Sequence, residues 1–268
     1  MNPSDFNPLA RFSSRVRNYV LYRPDYPPAL ADFVEKDLGL APGSVIADVG
    51  SGTGKLSVLF LERGYRIVGV EPNDEMREAA EDLKERFPDF VNLAGQAEAL
   101  PLDDGSVHAV MAGQAFHWFD PEKSRAEFQR VLASGGLVLL IWNDRSLDAT
   151  PFLRAYERLL TERCPEYSEI ASQYANEEVL RAFFGSAGYR EETFYNEQVF
   201  DWEGLKGRAL SSSYIPASGP EGDAFMDELK KLFAEHSEDG RVAFVYNTQL
   251  FYGSLQAPPA RAGGGSDD

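Results

Sequence analysis

Residues 50–57 read GSGTGKLS: three glycines, three hydroxyl side chains and a lysine within eight positions. Glycine has no Cβ, so such a stretch lets backbone approach a polar ligand closely. A triphosphate cradle needs four residues between its glycines, then Lys and a hydroxyl residue. Here Ser51, Gly52 and Thr53 separate Gly50 from Gly54, and Lys55 is followed by Leu56. The magnesium-binding hydroxyl is therefore missing from its place. The dinucleotide pattern G-x-G-x-x-G also fails, because the third glycine arrives one residue early. Asp48 stands just before the loop, where a carboxylate would repel a pyrophosphate. An acid there suits a cationic or hydrogen-donating ligand. These two departures disfavour an NAD(P)-dependent oxidoreductase, which stays as one alternative. Glu71 supplies a second carboxylate at the end of VGVE, where an acceptor binds ribose hydroxyls in parallel-sheet nucleoside sites.

These residues must be carried by alternating strands and helices. Apolar runs at Val45–Val49, Ile67–Val70, Phe90–Ala94, Val107–Gly113 and Leu137–Trp142 read as buried strands. Helical spacing joins Leu30, Phe33, Val34 and Leu38, then Leu56, Leu59 and Phe60, with Gly64 as a stop. Met76, Ala79, Ala80, Leu83 and Phe87 predict one helix, capped by Asn73 or Asp74. Asp120-Pro121 opens another helix, which Gly135-Gly136 closes. Strands joined by helices predict a parallel sheet covered on both faces. Beyond residue 143, helices are expected around Leu153–Leu160, Glu177–Phe184, Trp202–Tyr214 and Glu221–His236. Glu191–Phe200 and Val242–Tyr252 read as a closing antiparallel pair at one sheet edge.

With these elements placed, DVGSGTG (Asp48–Gly54) resembles the first motif of class I S-adenosylmethionine (SAM) methyltransferases. GQAEALPLDDGSVHAV (Gly95–Val110), with GQAFHWFD (Gly113–Asp120), resembles the type-11 methyltransferase domain. Adding YVLYRPDYP (Tyr19–Pro27) and IWNDR (Ile141–Arg145), the chain is similar to small-molecule methyltransferases of the trans-aconitate group over roughly residues 15–145. The family usually has aspartate where His108 stands.

The resemblance implies a Rossmann-like α/β fold: seven strands in order 3-2-1-4-5-7-6, the last antiparallel, with a helical cap from the C-terminal half. Residues 1–40 would hold an N-terminal lid and first helix, 41–145 the SAM-binding core, and 146–257 the cap and closing strands. Residues 258–268 would be a disordered tail. SAM, leaving as S-adenosylhomocysteine, would be held by Tyr19, Arg23, Asp48, Gly50, Ser51, Gly52, Gly54, Glu71, Pro72, Met76, Gln96, Ala97, Glu98 and Gln114. His117 is the candidate catalytic base, or else a positioning residue. Trp118, Arg145, Tyr214 and Tyr246 are candidate substrate contacts beside it, with Arg208 a further polar group for an anion. The implied activity is methyl transfer to a small-molecule acceptor, a carboxylate or a hydroxyl among the options. A non-catalytic SAM-binding regulator is the other alternative.

Composition narrows the class further. Across 268 residues, 26 basic and 43 acidic side chains leave a formal charge of −17. A surface this acidic repels nucleic acid and anionic membranes. One cysteine permits no intrachain disulfide, and three scattered histidines suggest no metal site. With no signal-like start and no long apolar run, the chain reads as a cytoplasmic monomer or homodimer.

Overall fold

The computed structural model describes residues 16–167 and 176–255. The expected tail, and the lid before residue 16, lie outside the described residues. Among the described residues, seven strands form one sheet in the order β3-β2-β1-β4-β5-β7-β6. They are β1 (Val45–Val49), β2 (Arg66–Val70), β3 (Phe90–Leu93), β4 (Val107–Gly113), β5 (Leu132–Arg145), β6 (Arg190–Phe200) and β7 (Val242–Gly253). The first five run parallel, and β7 is antiparallel to both β5 and β6. This is the expected sheet, closed by the expected pair.

The parallel strands are apolar on both sides because both faces are covered. One face packs Val49, Val110, Phe128, Trp142 and Phe183 together. The other packs Leu30, Phe60, Ile67, Met111 and Leu139. Helices α1 (Val16–Tyr22), α2 (Pro28–Lys36), α3 (Lys55–Leu61), α4 (Asp74–Ala79), α5 (Asp82–Arg86) and α6 (Pro121–Val131) belong to this half. A third core joins α7 (Pro151–Arg163), α9 (Trp202–Leu210) and α10 (Gly219–His236) to the start of β7, through Tyr156, Leu205, Phe225, Phe244 and Tyr246. That core is the cap. Helix α8 (Glu177–Phe184) packs instead on the sheet, through Leu180, Phe183 and Phe184.

Two expectations need correction. The helix read across Met76–Phe87 is two helices, α4 and α5. The buried Asn92 amide donates to the Arg77 carbonyl at 2.9 Å and to Glu81 at 2.7 Å. The turn there tightens, with Ala80 and Glu81 bonding three residues back rather than four. Gly135-Gly136 does not close α6, which ends at Val131. Buried Leu132 already pairs with Val107, and the glycines lie within β5 where the register shifts. Gly135 takes a φ of +77° there. His108 accepts a hydrogen bond at Nδ1 from the Val45 amide, 3.0 Å away, tying β4 to the start of β1.

Helix α1 docks on the cap at one tight contact. A Cβ on Gly207 of α9 would fall 2.0 Å from the Tyr22 ring. Gly207→Ala therefore sets two effects against each other. Helix propensity gains up to about 1 kcal/mol, while the ring is expelled. The expected outcome is a nearly unchanged global melting temperature with faster proteolysis around residues 16–26. An unchanged cleavage rate would show that Tyr22 does not hold α1 in place.

Candidate active site

Parallel strands deliver their following loops to one edge, and the site is built there. After β1, the chain turns through Gly50 (φ +70°), Gly52 (φ +56°) and Gly54 (φ +79°) into α3. The glycines serve different ends. A Cβ at Gly50 would sit 2.6 Å from Ala115 Cβ, and one at Gly54 2.3 Å from Leu83. Those two are demanded by the protein's own packing. At Gly52 only the Met76 methyl, 3.6 Å away, bounds the space. Gly52 is thus the position where backbone faces room for a ligand.

Two buried acids hold this loop. Asp48 Oδ2 accepts from the Ser57 hydroxyl at 2.6 Å. Burial is the main force pushing its carboxyl up to about 7, and nearby Glu71 adds to it. Glu71 accepts from the Gly52 amide at 2.9 Å and from the Asn73 amide at 2.8 Å, one bond on each oxygen. Burial raises its pKa as well, against the pull of those amides. Each carboxylate oxygen keeps a second lone-pair site.

A cavity of about 510 Å³ opens beside the loop and runs beneath the cap. Of the residues expected at the site, its wall includes Arg23, Asp48, Gly50, Ser51, Gly52, Gln114, His117, Trp118, Arg145, Tyr214 and Tyr246. Arg208 joins them there. Glu71, Pro72 and Met76 follow β2, and Gln96, Ala97 and Glu98 follow β3. They stand at the same sheet edge, off this cavity's wall. Pro72 and Gln96 are exposed, and Met76 and Ala97 buried. Glu98 accepts from the Asp120 amide at 2.7 Å. Gly54 caps α3. Tyr19 belongs to α1, with its side chain outside the described residues.

Beyond β4, Gln114 sits at φ +57°, an uncommon conformation for a residue with a side chain. Its amide nitrogen donates to the Asn143 carbonyl at 3.0 Å. His117 lies in the short 3-10 turn Phe116–Trp118, with its ring 4.5 Å from that of Trp118. Burial presses its pKa down to about 4, so the imidazole is neutral at physiological pH.

At the cap end, the Arg145 guanidinium donates to Glu157 and, at 2.9 Å, to the Tyr167 hydroxyl. It lies 5.2 Å from the Tyr156 ring centroid. Arg208 donates to the Tyr246 hydroxyl at 3.2 Å and to Ser212 at 3.2 Å. Sequence reasoning missed Thr53, Trp142, Asn143, Glu157 and Tyr167, all on the wall. Asn143 and Trp142 lay within the quoted IWNDR. Glu157 and Tyr167 carried no motif and enter only because the cap folds over the sheet.

Several wall atoms are buried without a partner among the described residues: Asp48 Oδ1, Ser51 Oγ, Thr53 Oγ1, Trp142 Nε1 and Arg145 Nη1. Buried polar groups are nearly always satisfied, so these point to a polar ligand. The first three belong to β1 and the glycine loop that follows it. An acceptor-rich cradle with an acid fits the ammonium end of an amino acid. Glu71 fits a diol. The residues present therefore match SAM.

A family model described as a methyltransferase domain matches residues 47–140. An uncharacterized methyltransferase of Mycobacterium tuberculosis is 43% identical over 136 residues, 50% of this chain and 52% of the relative. The chain thus spans about half the length of that relative. An uncharacterized methyltransferase of Schizosaccharomyces pombe is 32% identical over 257 residues, covering 92% of this chain and 97% of the relative. A solved structure from Anaeromyxobacter dehalogenans, provisionally described as a type II methyltransferase, superposes with a TM-score of 0.64 at 20% identity. It covers 87% of this chain and 98% of its own. The full-length kinship, the matched domain and the shared fold together place this chain in the family of class I SAM-dependent methyltransferases.

Proposed function

We propose that this chain transfers the methyl group of SAM to a small-molecule acceptor held beneath the helical cap. The observation that carries this reading is the single cavity linking the glycine loop to the cap. Its volume suits a small ligand rather than a polymer segment. SAM supplies a methyl carbon already activated by a sulfonium. The chain's own residues have the remaining tasks of holding, aligning and drying the site. Asp48, Ser51 and Thr53 would bind the amino-acid end, and Glu71 the ribose hydroxyls. Pro72, Met76 and Gln96–Glu98 would flank the adenine. Gln114, fixed by Asn143, would border the methyl group. Arg23, bonded to the Ser211 carbonyl at 3.2 Å, would close the methionine side. His117 would position the acceptor: an imidazole with so low a pKa is a weak base near neutrality.

Three measurements test this assignment. First, Asp48 gives S-adenosylhomocysteine affinity a pH dependence. A bound ammonium favours the ionised carboxylate, whereas the free protein holds the proton up to about pH 7. Binding then releases a proton below pH 7. Affinity should rise with pH, by up to about tenfold per unit, and level off above that point. The free fold has the opposite tendency. Its raised carboxyl pKa stabilises it fully below pH 3.8, and that contribution is lost as pH rises through about 7. Calorimetry giving one affinity from pH 5.5 to 8 would remove Asp48 from the cofactor site.

Second, Glu71→Ala removes two charged hydrogen bonds to the ribose, each with a net contribution of about 1.5–3 kcal/mol. S-adenosylhomocysteine affinity should fall at least tenfold, and unaltered binding would refute the ribose assignment. Third, His117→Ala should reduce turnover by less than about tenfold, with S-adenosylhomocysteine affinity intact and no change in the shape of the profile from pH 5.5 to 8.5. A loss of about 10²-fold or more in a folded variant, with an altered profile, would instead identify a general base.

A further inference from the structure

The cap end of the cavity holds two guanidinium groups, Arg145 and Arg208, with the carboxylates of Glu157 and Asp144 on the same wall. Arg208 is 5% exposed. Its hydrogen bonds go to the Tyr246 hydroxyl, Ser211 Oγ and Ser212 Oγ, all neutral, through Nε and Nη1. Among the described residues no carboxylate pairs with it and Nη2 has no acceptor. Arg145, its side chain 10% exposed, pairs with Glu157 through Nη2 and leaves Nη1 buried without a partner. The two arginines belong to one wall: Arg145 sits opposite Tyr246 in the β5–β7 ladder, and Tyr246 bonds Arg208. A buried charge lacking a counter-ion costs several kcal/mol. Both carboxylates of this wall act on Arg145, Glu157 by ion pair and Asp144 by its nearby charge, so Arg208 is left with neutral partners, inside a chain whose formal charge is −17.

We propose that Arg208 and Arg145 form an anion subsite, and that the methyl acceptor is an organic acid whose carboxylate is held there. The inference rests on the methyltransferase reading and names its substrate class. Arg208's lack of a carboxylate partner matches one carboxylate, and two unused N–H edges match its two oxygens. The anchored carboxylate is not the methylated atom, because a guanidinium draws electron density from it and lowers its nucleophilicity. A second polar group of the acceptor, a hydroxyl, amine or further carboxylate, reaches the methyl carbon. The subsite thus selects the acceptor by a part of it that does not react.

The test uses three acids, glutarate, 4-hydroxybenzoate and 4-aminobenzoate, each beside its primary amide. Binding is measured by calorimetry with and without saturating S-adenosylhomocysteine. The expected result is that acids bind at least about tenfold more tightly than their amides. Arg208→Gln should erase that preference while S-adenosylhomocysteine affinity stays within twofold. Arg208→Lys, which retains the charge but loses the fork, should keep a reduced preference. A merely structural Arg208 would instead show a lowered melting temperature in Arg208→Gln with the acid preference intact. That outcome overturns the proposal, as would binding of none of the acids or equal binding of their amides. Failure of S-adenosylhomocysteine to bind would sink the methyltransferase reading separately, since the acid titration without it still judges the subsite.

Discussion

Asn143, at the end of β5, is where the site is held together. Its carbonyl accepts from the Gln114 side chain, and its Oδ1 accepts from Thr248 at 2.5 Å and from Asn196 at 3.2 Å. Its amide reaches the Asp25 carbonyl at 3.3 Å, which Asn196 also reaches at 2.7 Å. One buried amide therefore joins β4, β5, β6, β7 and the segment leading into α2. Such a network has a steep dependence on completeness, because each buried group left unmatched costs as much as a bond gained. The unusual backbone of Gln114 persists because Asn143 holds its side chain and the Ile141 carbonyl holds its amide, at 2.8 Å. Local strain of this kind is tolerated when its surroundings overdetermine it.

From that junction two kinds of buried charge stand apart. Beside the loop are the acids Asp48, on the cavity wall, and Glu71, just off it. Under the cap are the guanidiniums of Arg145 and Arg208. Burial acts oppositely on the two classes of group. It raises both carboxylic acids, Asp48 up to about 7, so that an arriving cation would favour the ionised form of Asp48. An arginine has no such escape, since its guanidinium stays charged. The loop end is thus a responsive site, and the cap end a fixed field. A zwitterionic cofactor arm suits the first, and a permanently anionic acceptor suits the second.

Much of this was legible from the chain because the sheet obeys local rules. Val107–Gly113 was bounded correctly by its apolar run, and the order of all seven strands followed from the family pattern. Asp48 and Glu71 could be read because their place relative to strand ends has a chemical reason. The errors arose where a distant side chain decided the backbone. Asn92 lies on the neighbouring strand, and nothing within Met76–Phe87 announces that its amide will capture the Arg77 carbonyl. Gly135-Gly136 looked like a helix stop, yet pairing of Leu132 with Val107 turned it into an irregular strand. Asn143 was invisible for the same reason: its partners come from four separate stretches of chain.

The division of labour follows from the origin of each wall. The side proposed to hold the cofactor is made by loops that directly follow β1, β2 and β3, so its geometry is fixed by the sheet. Arg208, Tyr214 and Tyr167 come from the cap, whose core of Phe152, Leu205, Phe225 and Phe244 is separate from the two sheet cores. The cap can therefore change its lining without disturbing the cradle. It meets the sheet through β7, which carries Tyr246 into the cap and Leu250 into the sheet core. It also meets α1, where Tyr22 fills the gap left by Gly207. Arg23 follows Tyr22 immediately and bonds the Ser211 carbonyl just beyond α9, which links the segment beside the cavity to that helix. The acceptor contacts proposed on the cap and the strap proposed to border the methionine end share that link. An acceptor that draws on Arg208 would steady the same helix that holds the strap over SAM, coupling recognition of the acid to exclusion of water from the transfer.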